Sequence, residues 1–157
     1  MRRTDRANRA PASRIARRGG RCRTLPAVTA TVHGEVLLAN DAFYVAFEAG
    51  AMAAMVDLWD HTDEVICTHP GMPTVRGWDE VRLSWEQILH HGGEMQFIVT
   101  DERVVVYGDV GWVTCTENII GSDGPRGTVC ALNLFARSRD GAWLMVGHHG
   151  GGVAALR

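Results

Sequence analysis

The chain has 157 residues, 46% of them apolar, and this size fits one compact domain. No apolar stretch is long enough to cross a bilayer, and the first 24 residues lack the hydrophobic segment of a signal peptide. We therefore expect a soluble, cytoplasmic protein without a membrane partner. All 16 basic residues are arginines, which excludes reactions that need a lysine, such as Schiff-base catalysis.

The formal charge of −2 is divided unevenly along the chain. Residues 1–23 carry nine arginines and one acid, whereas residues 24–157 carry seven arginines and seventeen acids. We predict that residues 1–34 form a disordered, arginine-rich tail, because they have few hydrophobic side chains and no periodicity. Nucleic-acid binding by this tail is not favoured, since no aromatic residue is interleaved and the following domain is acidic. The domain is predicted over residues 35–151, and residues 152–157 form a short C-terminal tail.

The first half of the domain carries helical patterns. A first helix is predicted from Val36 to Gly50, with an apolar face made of Leu37, Asn40, Phe43, Tyr44 and Phe47. Residues 51–59 predict a second, short helix, and residues 64–69 predict a strand that ends at a Pro-Gly turn. A third helix is predicted after Gly77, with one side made of Trp78, Val81, Trp85, Ile88 and Leu89.

The second half of the domain is typical of β-structure. Four β-rich runs are separated by short, hairpin-like turns and cover residues 94–107, 110–120, 128–137 and 143–149. Helices followed by a meander of strands predict an α+β fold. We expect the N-terminal helices to pack on a strongly curved antiparallel sheet, which then forms a cone with an internal pocket.

Short motifs along this pattern carry a family resemblance. They cover residues 39–50, 58–59, 65–71, 77–78, 84–85, 109–117, 133–135 and 143–149. Together they resemble the SnoaL-like group of the nuclear-transport-factor-2-like (NTF2-like) superfamily, which includes proteins with the polyketide cyclase and ketosteroid isomerase fold. This resemblance implies a cone-shaped scaffold that hosts isomerases, dehydratases, epoxide hydrolases, polyketide cyclases and non-catalytic modules. It also implies that two copies pair through the outer face of the sheet.

The chain departs from the family pattern at two places. Ala51 follows Gly50 where many relatives have an aspartate, so a side chain that caps the second helix is missing, at a cost of about 1 kcal/mol. Three glycines follow His148 and His149, where relatives often have a small residue and a serine. The second departure removes the contacts that such a serine would make.

The chemistry that the resemblance implies is proton transfer on an apolar substrate, which needs a titratable group facing the cavity. Strand alternation places Glu117 on one face with Val113 and Cys115, in surroundings that raise a carboxyl pKa. Only one histidine of the pair that ends the last strand can point inward, and we select His149 because it shares a face with Trp143 and Met145. Glu117 and His149 are therefore the predicted catalytic residues.

The remaining site residues are predicted to hold the substrate. Asn133 is expected to donate to a carbonyl oxygen beside Glu117, and His69 to orient the ligand at the end of the first strand. The full set of predicted substrate-binding residues is His69, Asn133, Trp59, Trp78, Trp85, His148 and Phe135. Core packing is the alternative for most of the tryptophans, because an aromatic side chain buries a large area. A buried hydrogen-bond network without any catalytic role is the alternative for the polar members of this set.

Metal binding is a weaker alternative. Cys22, Cys67, Cys115 and Cys130 contain no close pair of the kind that holds structural zinc, so we expect free thiols with a packing role. Imidazole and carboxylate ligands are available from His61, His69, His90, His91, His148, His149 and Glu117, but no short spacing links them. We predict no metal and no cofactor.

These observations favour a small homodimeric protein that binds a hydrophobic or aromatic metabolite in the cone. If it is an enzyme, it is a cofactor-independent isomerase, cyclase or dehydratase that uses general acid–base catalysis. The alternative is a non-catalytic dimeric module for ligand binding or association. Trp112 and Leu132 or Leu134 are expected on the outer face of the sheet, where exposed apolar side chains favour pairing.

Overall fold

A computed structural model describes residues 27–153, which form three helices and six strands. The predicted tail residues 1–26, including Cys22, and residues 154–157 lie outside this range. Within it, no helix is long and apolar enough to cross a membrane. In chain order the elements are α1 (Ala27–Glu48), α2 (Met52–Leu58), β1 (Ile66–Thr68), β2 (Val75–Arg76), α3 (Trp78–His91), β3 (Met95–Tyr107), β4 (Val110–Gly121), β5 (Gly124–Arg137) and β6 (Trp143–Gly152).

The six strands form one curled but open sheet in the order β2-β1-β6-β5-β4-β3. The predicted meander is confirmed, since β3, β4, β5 and β6 pair with their sequence neighbours in antiparallel fashion. The sheet is nevertheless mixed rather than antiparallel throughout, because β1 pairs with β6 in parallel. Helix α3 and strands β3 to β5 lie between β1 and β6 in the sequence. A connection of this length allows β6 to run parallel to β1.

Helix ends follow local signals in the sequence. Gly50 adopts a positive φ of 59° directly after α1, a conformation that favours glycine and ends the helix. In α3, Asp79 and Glu80 lie in the first turn and His90 and His91 in the last, which suits the helix dipole at both ends.

The first helix begins earlier than its pattern predicts. It starts at Ala27, so residues 27–34, which the sequence assigns to the tail, are helical. Glu35 shows why this end is held in place, since its carboxylate pairs with Arg137 at 2.8 Å and accepts from the indole N–H of Trp143 at 3.2 Å. The sequence pattern missed this extension because its anchor is a contact between residues about a hundred positions apart.

The core lies between the helices and the concave face of the sheet. Phe43 of α1 packs edge-on against Trp85 of α3, with ring centroids 5.4 Å apart. Trp59 and Phe135 are also fully buried within this cluster. Such large aromatic groups contribute most of the buried apolar area, so they fix the helices against the sheet.

Candidate functional site

A cavity of about 400 Å³ opens between the end of α3 and the concave face of the sheet. Its wall is mainly apolar and includes Phe47, Met72, Ile88, Met95, Phe97 and Ile119. Three buried polar side chains also line it: Glu117, His69 and His148. Few polar groups in an apolar concavity are typical of a site that binds a small molecule.

Glu117 lies on β4 and is only 3% exposed. Its Oε1 accepts a hydrogen bond from the hydroxyl of Tyr44, on α1, at 2.7 Å. Burial raises the pKa of the Glu117 carboxyl, and the bond from Tyr44 opposes part of that rise. A carboxyl in this environment can take up and release a proton closer to neutral pH than an exposed one.

Asn133, on β5, is the centre of a chain of buried hydrogen bonds. Its amide Nδ2 donates to Tyr44 Oη at 3.2 Å and to Asn40 Oδ1 at 2.8 Å. Its Oδ1 faces Nδ1 of His148 at 2.7 Å. Since both amide hydrogens are engaged, Oδ1 is the acceptor, and the proton of that last bond belongs to His148.

His148, on β6, is therefore held as the neutral tautomer with its proton on Nδ1. Burial, followed by the charges of His69 and His149, lowers the His148 pKa to about 3. Among the residues that the structure describes, no side chain bonds to its Nε2. In the described part of the chain, two fully buried side-chain polar atoms have no hydrogen-bond partner, the indole nitrogens of Trp59 and Trp85. Nε2 of His148 has no partner and is not in this set, so it is not fully buried. The bare nitrogen therefore faces the cavity that the ring lines.

His69 follows β1 and stands beside His148, with ring centroids 6.1 Å apart. Ser84 donates its hydroxyl hydrogen to the carbonyl of Val81, so its Oγ accepts from Nε2 of His69 at 3.0 Å. Burial lowers the His69 pKa to about 4. Both histidines are thus neutral near pH 7, and each keeps one bare nitrogen that can accept a hydrogen bond.

The predicted inward direction of His149 is wrong. It is exposed on the outer face of the sheet, and its neighbour His148 is buried. The reason is a bulge in β6, where Met145 pairs with Phe135 but Gly147 pairs with Leu134, so that one extra residue shifts the alternation.

Five other predicted binding residues are not part of the cavity lining. Asn133 is fully buried, and its amide hydrogens are used by Asn40 and Tyr44, so it has none to donate to a ligand.

The four aromatic residues of this set lie in other packing environments. Trp59, Trp85 and Phe135 are buried in the core, and Trp78 stacks on His61 with ring centroids 4.3 Å apart. Trp85 supports the site indirectly, because the ring of His69 packs edge-on against it at 4.6 Å.

Three polar residues of the site were missed by the sequence patterns. Asn40 and Tyr44 were counted as part of the apolar face of α1, and Ser84 lies between the apolar positions of α3. A signal for Asn40 was present, since an amide within an apolar helical stripe needs a buried partner. No local pattern shows that its partner is Asn133, on a strand 93 positions away.

The described part of the chain, residues 27–153, contains no group of three or more His, Cys, Asp or Glu residues that could hold a metal ion. Cys67 and Cys115 are buried free thiols, and burial raises their pKa values to about 12 and about 11. Cys130 is exposed. Among the described residues, the buried titratable groups that line the cavity are thus the carboxyl of Glu117 and the neutral imidazoles of His69 and His148, and the exposed side chains of Gln87 and His91 also line it.

Comparison with known proteins agrees with this architecture. Residues 36–155 match the family described as SnoaL-like domain. A solved NTF2-like protein from Streptomyces avermitilis, named as a candidate dehydratase, is 38% identical, with a TM-score of 0.74 and coverage of 81% of this chain and 99% of its own. A solved protein from Thiobacillus denitrificans, named as a candidate association domain of calcium/calmodulin-dependent protein kinase type II, is 30% identical, with a TM-score of 0.69 and coverage of 74% and 93%.

A curated relative from a plant is also similar. The F-box protein SKIP8 from Arabidopsis thaliana is 29% identical over 114 residues, or 73% of this chain. The chain spans about half of the length of that relative, 48%. The similarity therefore concerns one part of a longer protein.

Proposed function

The chain belongs to the SnoaL-like family of the NTF2-like superfamily, and we propose that its cavity binds a small hydrophobic or aromatic metabolite and transforms it by general acid–base catalysis. The reaction is an isomerisation, a cyclisation or a dehydration, in which a proton leaves one atom of the ligand and returns to another. The observation that carries this proposal is the position of Glu117, a buried carboxyl with a raised pKa on the wall of an apolar cavity.

The proposal assigns the proton transfer to Glu117. Its Oε1 is occupied by the hydroxyl of Tyr44, which leaves Oε2 to take a proton from the ligand and return it. His148 replaces His149 as the partner, since its bare Nε2 reaches the cavity. His69 accepts a second hydrogen bond from the ligand and orients it.

The experiment tests proton transfer without knowledge of the natural ligand. Tetralone, a bicyclic ketone with exchangeable hydrogens beside its carbonyl, is incubated with the protein in heavy water, and its deuterium content is followed by NMR. We expect exchange faster than in buffer, and a loss of about a hundredfold in the Glu117→Gln variant, since this is the usual contribution of a general acid or base. Binding is measured in parallel by titration of naphthol fluorescence.

His149→Gln is the matched control for His148→Gln, because the two histidines are adjacent in sequence and lie on opposite faces of β6. We expect the first variant to keep the parent exchange rate and the second to slow it. Exchange at the buffer rate in the parent protein would contradict the catalytic role. Tight binding of naphthol together with such a rate would instead support the non-catalytic ligand-binding alternative.

A specific observation supports association as a second candidate function. The outer face of the sheet exposes several apolar side chains, with Ile98 53%, Val105 42% and Tyr107 83% exposed, and Trp112 and Leu134 lie half-buried beside them. A relative that is 30% identical is named as an association domain. We propose that two copies pair through this face, and we expect Leu134→Glu to convert the dimer to a monomer in sedimentation equilibrium. A monomeric parent protein would contradict this pairing.

A further inference from the structure

Strand β3 contains a bulge opposite Cys115 of β4. Thr100 pairs with Thr116 and Arg103 with Thr114, so β3 has one residue more than β4 over this interval. Within it, Asp101 has a φ of 56°, an unusual conformation for a residue other than glycine. Bulges of this kind redirect side chains and are frequent next to functional sites.

The bulge brings Glu102 to helix α1. Oε1 of Glu102 accepts a hydrogen bond from Nδ2 of Asn40 at 3.0 Å, although Glu102 is itself an exposed residue. This contact is the outer end of the buried chain that continues to Asn133 and then to His148. A surface carboxylate is thus linked to the cavity through three hydrogen bonds.

The direction of each bond in this chain follows from the chemistry of Glu102. A carboxylate has no hydrogen to donate, so Asn40 must turn its NH₂ group towards Glu102 and its oxygen towards Asn133. Asn133 must then turn its NH₂ group towards Asn40 and its oxygen towards His148. Within residues 27–153, the group placed to donate to that oxygen is Nδ1–H of His148.

We propose that Glu102 is a positioning residue that, through Asn40 and Asn133, keeps the proton of His148 on Nδ1 and leaves Nε2 bare. The consequence for the ligand rests on the proposed function: a bare Nε2 accepts from a hydroxyl or phenol group and has nothing to offer to a carbonyl. Glu102 therefore favours a ligand that carries a hydroxyl group at this point of the cavity.

A second route to Asn133 starts at Glu117, through Tyr44. Its effect is the same while Glu117 is a carboxylate, because Tyr44 then donates to Glu117 and accepts from Asn133. A proton on Glu117 removes this constraint on Asn133. A protonated Glu117 can donate to the oxygen of Tyr44, and the hydroxyl hydrogen of Tyr44 is then free to bond to another acceptor. The route from Glu102 is independent of that change and holds His148 throughout a cycle in which Glu117 gains and loses a proton.

The test reads the tautomer of His148 directly. Nitrogen NMR of protein with labelled histidine separates a protonated ring nitrogen from a bare one, and no ligand is needed. We compare the parent protein, Tyr44→Phe, the double variant Tyr44→Phe/Glu102→Gln, and Glu80→Gln as a control at an exposed carboxylate on α3. We expect the Nδ1-protonated form alone in the parent, in the control and in Tyr44→Phe, and a second, Nε2-protonated form in the double variant.

Two results would overturn the proposal. One is a double variant that retains the parent spectrum, and the other is a Tyr44→Phe variant that already loses the Nδ1-protonated form. Glu102→Ala in the Tyr44→Phe background repeats the comparison at an exposed position whose replacement leaves the core intact, and circular dichroism confirms that each variant is folded.

Ligand binding gives an independent reading. In the double variant we expect naphthol to bind more weakly than in Tyr44→Phe, by up to about tenfold, the limit for one lost hydrogen bond. Methoxynaphthalene has no hydroxyl hydrogen to donate to Nε2, so its binding is not weakened. Equal weakening of the two probes would contradict the hydroxyl preference. If neither probe binds the parent protein, the proposed function fails, and the NMR comparison still decides whether Glu102 positions His148.

Discussion

His148 and His149 are adjacent in sequence, and they show how different the two faces of the sheet are. His148 lies on the inner face, is 3% exposed and donates to Asn133, and its pKa is lowered to about 3 by burial and by its histidine neighbours. His149 is exposed on the outer face, beside Cys130 and Leu132. A polar group on the inner face needs a partner for every hydrogen bond that it loses to burial, whereas one on the outer face can use water. Changes on the inner face should therefore have large effects, and changes on the outer face small ones.

The largest expected difference between the inner and outer faces is at Asn133 and its neighbour Leu132. Asn133→Leu removes the bonding partner of three buried groups, on Asn40, Tyr44 and His148. Each group left without a partner costs about 1–3 kcal/mol, so we expect the free energy of unfolding to fall by about 4 kcal/mol. Leu132→Gln, which lies half-buried on the outer face, should change it by about 0.5 kcal/mol. Urea denaturation measures both, and equal losses would show that the two faces do not differ in this way.

The next largest effect is the response of stability to pH. The pKa of a histidine is 6.5 in the unfolded chain, whereas in the folded protein it is about 4 for His69 and about 3 for His148. The unfolded state therefore binds more protons below pH 6.5, and the free energy of unfolding falls as the pH drops from 6.5 towards 4. For His69 the loss is on the order of 3 kcal/mol. Glu117 acts with the opposite sign, because its raised pKa lets the folded state bind a proton more readily.

Urea denaturation at a series of pH values separates these contributions. We expect His148→Gln to reduce the acid-induced loss of stability clearly. His149→Gln should reduce it only slightly, because burial is the main cause of the lowered His148 pKa and the charge of His149 is a smaller one. A His148→Gln variant that loses as much free energy of unfolding between pH 6.5 and 4 as the parent protein would show that His148 takes up a proton as easily when folded as when unfolded.

Alternation along the sequence placed a side chain on the correct face of the sheet where the strand is regular and on the wrong face where the strand contains a bulge. Glu117 was placed correctly on the inner face because β4 pairs with β5 without interruption from Val110 to Ile119 and has no extra residue of its own, so simple alternation holds. The choice of His149 failed because the bulge in β6 lies between Met145 and His148 and reverses the alternation. A signal for that bulge is present in Gly147, because an isolated glycine inside a strand pattern often lies at a bulge, but simple alternation does not use it.

Long-range contacts set the second limit. The order of helices and strands follows from local periodicity, and the resemblance of the motifs to the SnoaL-like family was confirmed. Core packing was the expectation for most of the tryptophans, and Trp59 and Trp78 were expected at the cavity because they flank the His69 turn. Trp59 and Trp85 are core residues. Which residue faces the core and which the cavity depends on how α3 lies across the sheet, and this is decided by packing that local patterns do not record.

The smallest effect concerns Glu117, the one acid on the inner face that reaches the cavity. Burial raises the pKa of this carboxyl, so its charged form is less stable in the folded protein than in the unfolded chain. Glu117→Gln removes the charge and keeps an oxygen that can accept from Tyr44. We expect the variant to be more stable by about 1 kcal/mol, a gain often found when a functional residue is replaced. Glu94→Gln, at an exposed position, should leave stability unchanged.

Thermal unfolding near pH 7 measures the difference in stability between the parent protein and Glu117→Gln. The tetralone exchange rate, measured on the same samples, shows whether the substitution also changes proton transfer. A gain in stability together with a loss of exchange shows that Glu117 is kept for its chemistry at the expense of the fold. A loss of stability would instead assign Glu117 to the buried network alone, because a carboxylate that stabilises the inner face through Tyr44 needs no reaction to explain its presence. The same substitution thus decides whether the inner face is a polar core or an active site.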